Sequence, residues 1–272
     1  MIALQTWRRF VSHWRTLLGA GLYAALLLEA VWVVAAAGTR PFAPALVVYT
    51  FAVEGSGSAI AWAPLLGLPL GSLLGLVGAL AILLLVAPLV QGGLAHVAAR
   101  VLRQQPVSAW EFWTAGRRHW RPLCALCLIA AGVGAVLLLA GVVVSLVPLL
   151  GPSVWLMGAG IVAVALCGHG PYLVVAEGLG AREAAQKAFR MVNLKLVDLS
   201  ATVVLLLFAV CVLGLAGARA PWGLVAGVVL NTFWFALVPL YLACRYQTNI
   251  APALTPPGGN GSLHSPHPPS GA

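Results

Sequence analysis

Apolar residues fill six long blocks of the chain, and the charged ones gather between them. A helix needs about 20 apolar residues to cross a hydrocarbon layer about 30 Å thick. Runs of that order lie near 16–37, 66–90, 123–149, 153–175, 199–217 and 221–243, which predicts six membrane spans. Gly151-Pro152 breaks the third from the fourth, and Pro221 suits the first position of the sixth.

A different period rules the polar segments. Over 181–196, Ala181, Ala184, Ala185, Ala188, Phe189, Val192 and Leu196 share one helical face. Arg182, Glu183, Gln186, Lys187, Arg190 and Asn193 take the other, with Glu183 four residues before Lys187, the favourable order for an ion pair. That pattern predicts a helix lying flat among headgroups, its cations toward acidic lipid. "SAWEFWTAGRRHWR" is a second such helix: Ser108 and Glu111 form a capping box, and Trp110, Trp113 and Trp120 an interfacial belt. The third occupies residues 1–15, where Trp7, Phe10, Val11 and Trp14 begin a stripe that continues to Leu18. The predicted fold is therefore all-α: a polytopic membrane protein with six transmembrane helices and three interfacial amphipathic helices. Each flat helix precedes a pair of spans, a plan that describes three parallel repeats over roughly 2–95, 107–176 and 181–245. The membrane domain covers 16–245, and a disordered cytoplasmic tail, 246–272, follows; from Ala251 it is chiefly Pro, Gly, Ser and His.

Composition agrees with burial in lipid: 61% of the residues are hydrophobic and 8% charged, where a soluble domain carries about 25% charged residues. The net charge of +9 does not indicate nucleic acid, because the basic residues are dispersed at helix ends. Thirteen of the fifteen Lys and Arg residues fall on the side that holds both termini, and only Arg40 and Arg219 on the other. Short loops rich in these residues stay cytoplasmic, so both termini are expected there, in a bacterial inner membrane. The first run also has the layout of a signal peptide, with Ala35-Ala36-Ala37 as the cleavage site. Its length favours a retained span, since nine Leu and Val at about −0.5 kcal/mol each outweigh the roughly 3 kcal/mol cost of Glu29.

A span ending in "PYLVVAEG" and followed by "AREAAQKAFRMV" resembles a group of six-helix bacterial membrane families. Among them are the membrane domain attached to some glycerophosphodiester phosphodiesterases and kindred uncharacterised integral proteins. Pro171, Glu177, Glu183, Ala184 and Ala185 match their pattern, as do Gly92-Gly93 and "SAWEFWTAGRR", and Arg190 stands near their usual Ser or Lys. The resemblance spans residues 10–245 and implies topology rather than chemistry. Without a phosphodiesterase domain here, that activity does not carry over.

Candidate chemistry is sparse. Glu29, an acid in mid-membrane, points to proton coupling or cation binding, with Asn231 at similar depth as its hydrogen-bond partner. Its alternative is a packing role. His169 lies between glycines before Pro171, where a kink would turn its ring into the bundle. His96 is near the same depth, but no third metal ligand is evident, and Cys124-x-x-Cys127 has no second pair. Ser56 and Ser58 in "EGSGSA" are on the wrong side for His96 or His169 to activate them. Glu183-Ala184-Ala185 resembles the coupling loop of ATP-binding-cassette permeases, yet Phe189 replaces the glycine that loop requires. No catalytic, cofactor or metal site is expected. Arg117, Arg118, Arg121, Arg182, Lys187, Arg190 and Lys195 form a collar for anionic headgroups or a partner. The expected function is a non-enzymatic membrane scaffold or lipid-associated protein, in which self-association into a homo-oligomer is left open. Its alternative is a permease-like transport subunit working with a soluble cytoplasmic partner.

Overall fold

The computed structural model describes residues 2–39, 70–144, 158–193 and 221–254, and all regular structure among them is helical. Helix α1 (Ile2–Ser12) passes through His13 into α2 (Trp14–Thr39). Then come α3 (Leu70–Leu102), α4 (Glu111–Arg118) and α5 (Trp120–Val144). Helical residues from 158 lead into a π-helical turn, Val164–His169, followed by α6 (Gly170–Ala176) and α7 (Ala181–Asn193). Helix α8 (Pro221–Arg245) continues through a second π turn, Tyr246–Ile250, into α9 (Ala251–Leu254). Among the described residues five stretches are long and apolar enough to cross a membrane: Trp14–Val31, Leu84–Leu102, Trp120–Gly141, Gly158–Ala176 and Val225–Ile250. The predicted span 199–217, the Gly151-Pro152 turn, "EGSGSA", Arg40, Lys195 and Arg219 lie outside the described residues.

Helix α2 packs on both α3 and α8. Its contact face is made of small residues: Ala20, Ala24 and Ala25 are fully buried, and a methyl group on Gly21 would overlap the Thr232 carbonyl of α8. Between membrane helices apolar burial supplies little drive, so close backbone approach and dispersion must hold them. Helix α3 runs on to Leu102, past the Gly92-Gly93 end expected for the second span. Both glycines act as a notch instead. The Phe112 ring of α4 lies over Gly93, and Leu123 of α5 and Gly116 of α4 close on Gly92. Each glycine costs a helix about 1 kcal/mol relative to Ala, which packing of the fully buried Phe112 offsets. In the turn loosened by Pro88, the Trp120 indole N–H donates to the Leu85 carbonyl at 3.1 Å.

The amphipathic helices dock on protein more than their sequences suggest. Ala184, Ala185, Ala188 and Met191 of α7 are buried against α5, α6 and the first π turn, so this face is not laid on lipid as expected. The expected Glu183–Lys187 pair is absent too: Glu183 accepts the Gly180 N–H at 3.3 Å, and Lys187 reaches back to Glu177. Closing the first turn satisfies an amide that has no partner within the helix, whereas a surface pair gains only a few tenths of a kcal/mol. On α1, Thr6 and Phe10 turn inward while Trp7 and Val11 stay exposed, as does Trp14 at the start of α2. Residues 246–254, expected in the disordered tail, are helical instead, and Tyr246 and Ile250 are buried.

Candidate functional site

Glu29 and Asn231 meet. Asn231 Nδ2 donates to Glu29 Oε1 at 3.1 Å between α2 and α8, and Asn231 is buried. Gly227, one turn earlier on α8, leaves room for the carboxyl: a methyl group there would stand 3.3 Å from Glu29 Oε1. An interhelical bond of this kind contributes about 1 kcal/mol in a membrane.

His169 belongs elsewhere. Its ring is 1% exposed and packs 6.4 Å from that of Tyr246, which follows Asn231 by fifteen residues, about 20 Å of helix. The three residues of the expected intramembrane polar site therefore form two sites. Where a kink was expected, the helix widens into the π turn ending at His169. Pro171 offers no N–H to the Cys167 carbonyl and crowds it, so the helical ladder widens over that turn. His96 pairs instead with Glu111, Nε2 to Oε2 at 3.4 Å, and no group of three metal-binding side chains occurs among the described residues. Cys127 donates weakly to Gln91 Oε1 at 3.5 Å, and Cys124, Cys127, Cys167 and Cys244 are all free thiols.

A second polar cluster surrounds Glu177, just beyond the Gly158–Ala176 span. Lys187 Nζ donates to Glu177 Oε2 at 2.6 Å, and the Tyr246 hydroxyl donates to Oε1. Lys187 also lies 5.5 Å over the Tyr246 ring, which is tilted against Tyr172 at 5.5 Å. Gln247 Nε2 donates to the Tyr172 hydroxyl at 2.9 Å. One carboxylate thus ties the end of α6, the middle of α7 and the second π turn together. Sequence alone singled out Glu177 and Lys187 but not Tyr172, Tyr246 or Gln247. The signal available was an aromatic and an amide directly after Arg245, where a solvated tail would have no use for them.

Arginine has two uses. Arg9 donates to the carbonyls of Val101 and Leu102, and Arg103 to that of Ala176 at 3.1 Å, so these side chains close the C-terminal ends of α3 and α6. Arg100 binds Glu111 at 3.1 Å and the Pro106 carbonyl at 3.1 Å. The Ser108 N–H, donating to Glu111 Oε1 at 3.1 Å, holds that carboxyl below the ordinary glutamate range, and the His96 and Arg100 contacts add to this. Of the expected collar, Arg117, Arg118, Arg121, Arg182 and Arg190 are exposed, while Lys187 is half-buried against Glu177. Trp7, Trp14 and Trp110 are exposed as well.

No family model, curated protein or solved structure matches this chain. The fold and its polar clusters define an all-helical protein fitted to a membrane, and its function rests on its own residues.

Proposed function

We propose that the protein is a non-enzymatic membrane scaffold that gathers anionic lipid on one side of a bacterial inner membrane. In this reading it has six spans, the fifth being 199–217, and three collar helices repeated in parallel, with both termini cytoplasmic. The observation that carries it is the exposure of Arg117, Arg118 and Arg121 at the α4–α5 junction, on either side of Trp120 in the sequence, with Arg182 and Arg190 exposed on α7. Exposed cations on a helix that also carries tryptophan suit the level of phosphate headgroups. The resemblance to six-helix bacterial membrane families supports the same topology. The test is retention of phosphatidylglycerol in nanodiscs of mixed lipid. Wild type enriches it over phosphatidylcholine, and the Arg117→Gln/Arg118→Gln/Arg121→Gln variant loses that enrichment. Equal retention by both overturns the reading.

The Glu29–Asn231 bond favours a second reading, a permease-like subunit driven by a soluble partner. Glu29→Gln then abolishes proton or solute flux in proteoliposomes while the protein still folds. On the scaffold reading it changes only stability, by about 1 kcal/mol.

A further inference from the structure

A pocket of about 520 Å³ opens between α7 and the second π turn, and Glu177, Glu183, Gln186, Lys187, Arg190 and Tyr246 line it. Glu177 is the residue after the Gly158–Ala176 span, and Tyr246 lies in the last turns of the Val225–Ile250 span. The pocket is thus at the depth where headgroups meet water. Two carboxylates and two cations give it no net charge, which sets it apart from the purely basic α4–α5 junction.

Its groups are not equally engaged. Glu177 has both oxygens engaged, one by Lys187 and one by Tyr246. Lys187 spends one of three donors there and keeps two. Glu183 gives one oxygen to the Gly180 N–H and keeps the other. Arg190 is exposed seven residues after Glu183 on the same face, two turns or about 10 Å along the axis, with Lys187 and Gln186 between them. A lone acceptor at one end and a guanidinium backed by an ammonium at the other suit a ligand carrying both signs of charge. A simple anion would face Glu177 and Glu183 across the pocket.

We propose that this pocket binds the headgroup of a zwitterionic aminophospholipid, its phosphate diester on Arg190 and Lys187 and its ammonium on Glu183. The assignment rests on the membrane placement proposed above, and it gives the α7 part of the cationic collar a lipid preference different from that of Arg117, Arg118 and Arg121. It involves no covalent step.

The test is native mass spectrometry of the full-length protein in mild detergent, titrated with dihexanoyl phosphatidylethanolamine or dihexanoyl phosphatidylglycerol. Wild type binds the ethanolamine lipid at least about fivefold tighter. Arg190→Gln weakens that binding about tenfold, the loss expected of one charge-assisted pair. Glu183→Gln keeps an acceptor for Gly180 but leaves the pocket positive, and it reverses the order in favour of the glycerol lipid. Both side chains are exposed, so neither change empties a core, and Arg190→Lys retains the wild-type order. Equal binding of the two lipids by wild type, or an order unmoved by Glu183→Gln, overturns the proposal. Free phosphoethanolamine that displaces the lipid at equal concentration also overturns it, in favour of a soluble phosphoamine. Failure here with phosphatidylglycerol still enriched at Arg117, Arg118 and Arg121 leaves the scaffold reading standing. Loss of that enrichment as well removes both.

Discussion

Gly21 sets how closely the first and last described spans approach. With the Thr232 carbonyl and the Ala236 amide against it, any side chain must push α2 from α8. Gly21→Val is expected to cost about 2 kcal/mol and lower the melting temperature in detergent. Gly132→Ala, on α5 with nothing within 4 Å, is expected to leave it unchanged or raise it. Glu111 gives a second prediction at this scale. Its folded-state pKa lies below the ordinary value of 4.5, so its contribution is complete above that value and is lost as the pH falls through and below it. Fluorescence of the neighbouring Trp110 and Trp113 should report unfolding of the α4 start on acidification in wild type. Glu111→Gln should flatten that profile. The Glu29–Asn231 contact was legible because an acid and an amide are conspicuous in apolar text. The Glu177–Tyr246 contact was not, since tyrosine near a membrane surface has many uses and its partner is 69 residues away.

For the helices, periodicity located α1, α4 and α7 and their wet faces. It could not tell whether the opposite face meets lipid or protein, because both are apolar. Alanine is the clue that was present: Ala184, Ala185 and Ala188 offer little surface to a bilayer but allow close helix contact, and all three are buried. The same logic explains Gly92-Gly93, which looks like a helix end in one dimension and in three is the seat of Phe112. The arginines that close α3 and α6 read in sequence as orientation charges only. Arg9→Leu is expected to free the carbonyls of Val101 and Leu102 and fray the end of α3. Hydrogen exchange over 99–105 should quicken severalfold while exchange in α5 stays at the wild-type rate. Equal exchange in both proteins would show that water replaces the guanidinium at no cost.

In the whole molecule, hydropathy anticipated the helical class and four of the five described spans, since length and apolar content decide both, while the second, expected at 66–90, is Leu84–Leu102. Charge asymmetry suggests the orientation. Function was the least legible, because a lipid-binding surface is built from residues that any membrane protein needs for topology. Its central claim is that the protein works with lipid alone and needs no energy-coupling subunit. Purification of the tagged protein in mild detergent, followed by mass spectrometry of everything retained, tests this most directly. The account predicts phospholipid in stoichiometric amounts and no soluble protein at comparable abundance. A stoichiometric ATPase or other soluble subunit, lost when the exposed polar faces of α4 and α7 are altered, would contradict it and make those helices coupling elements of a transporter.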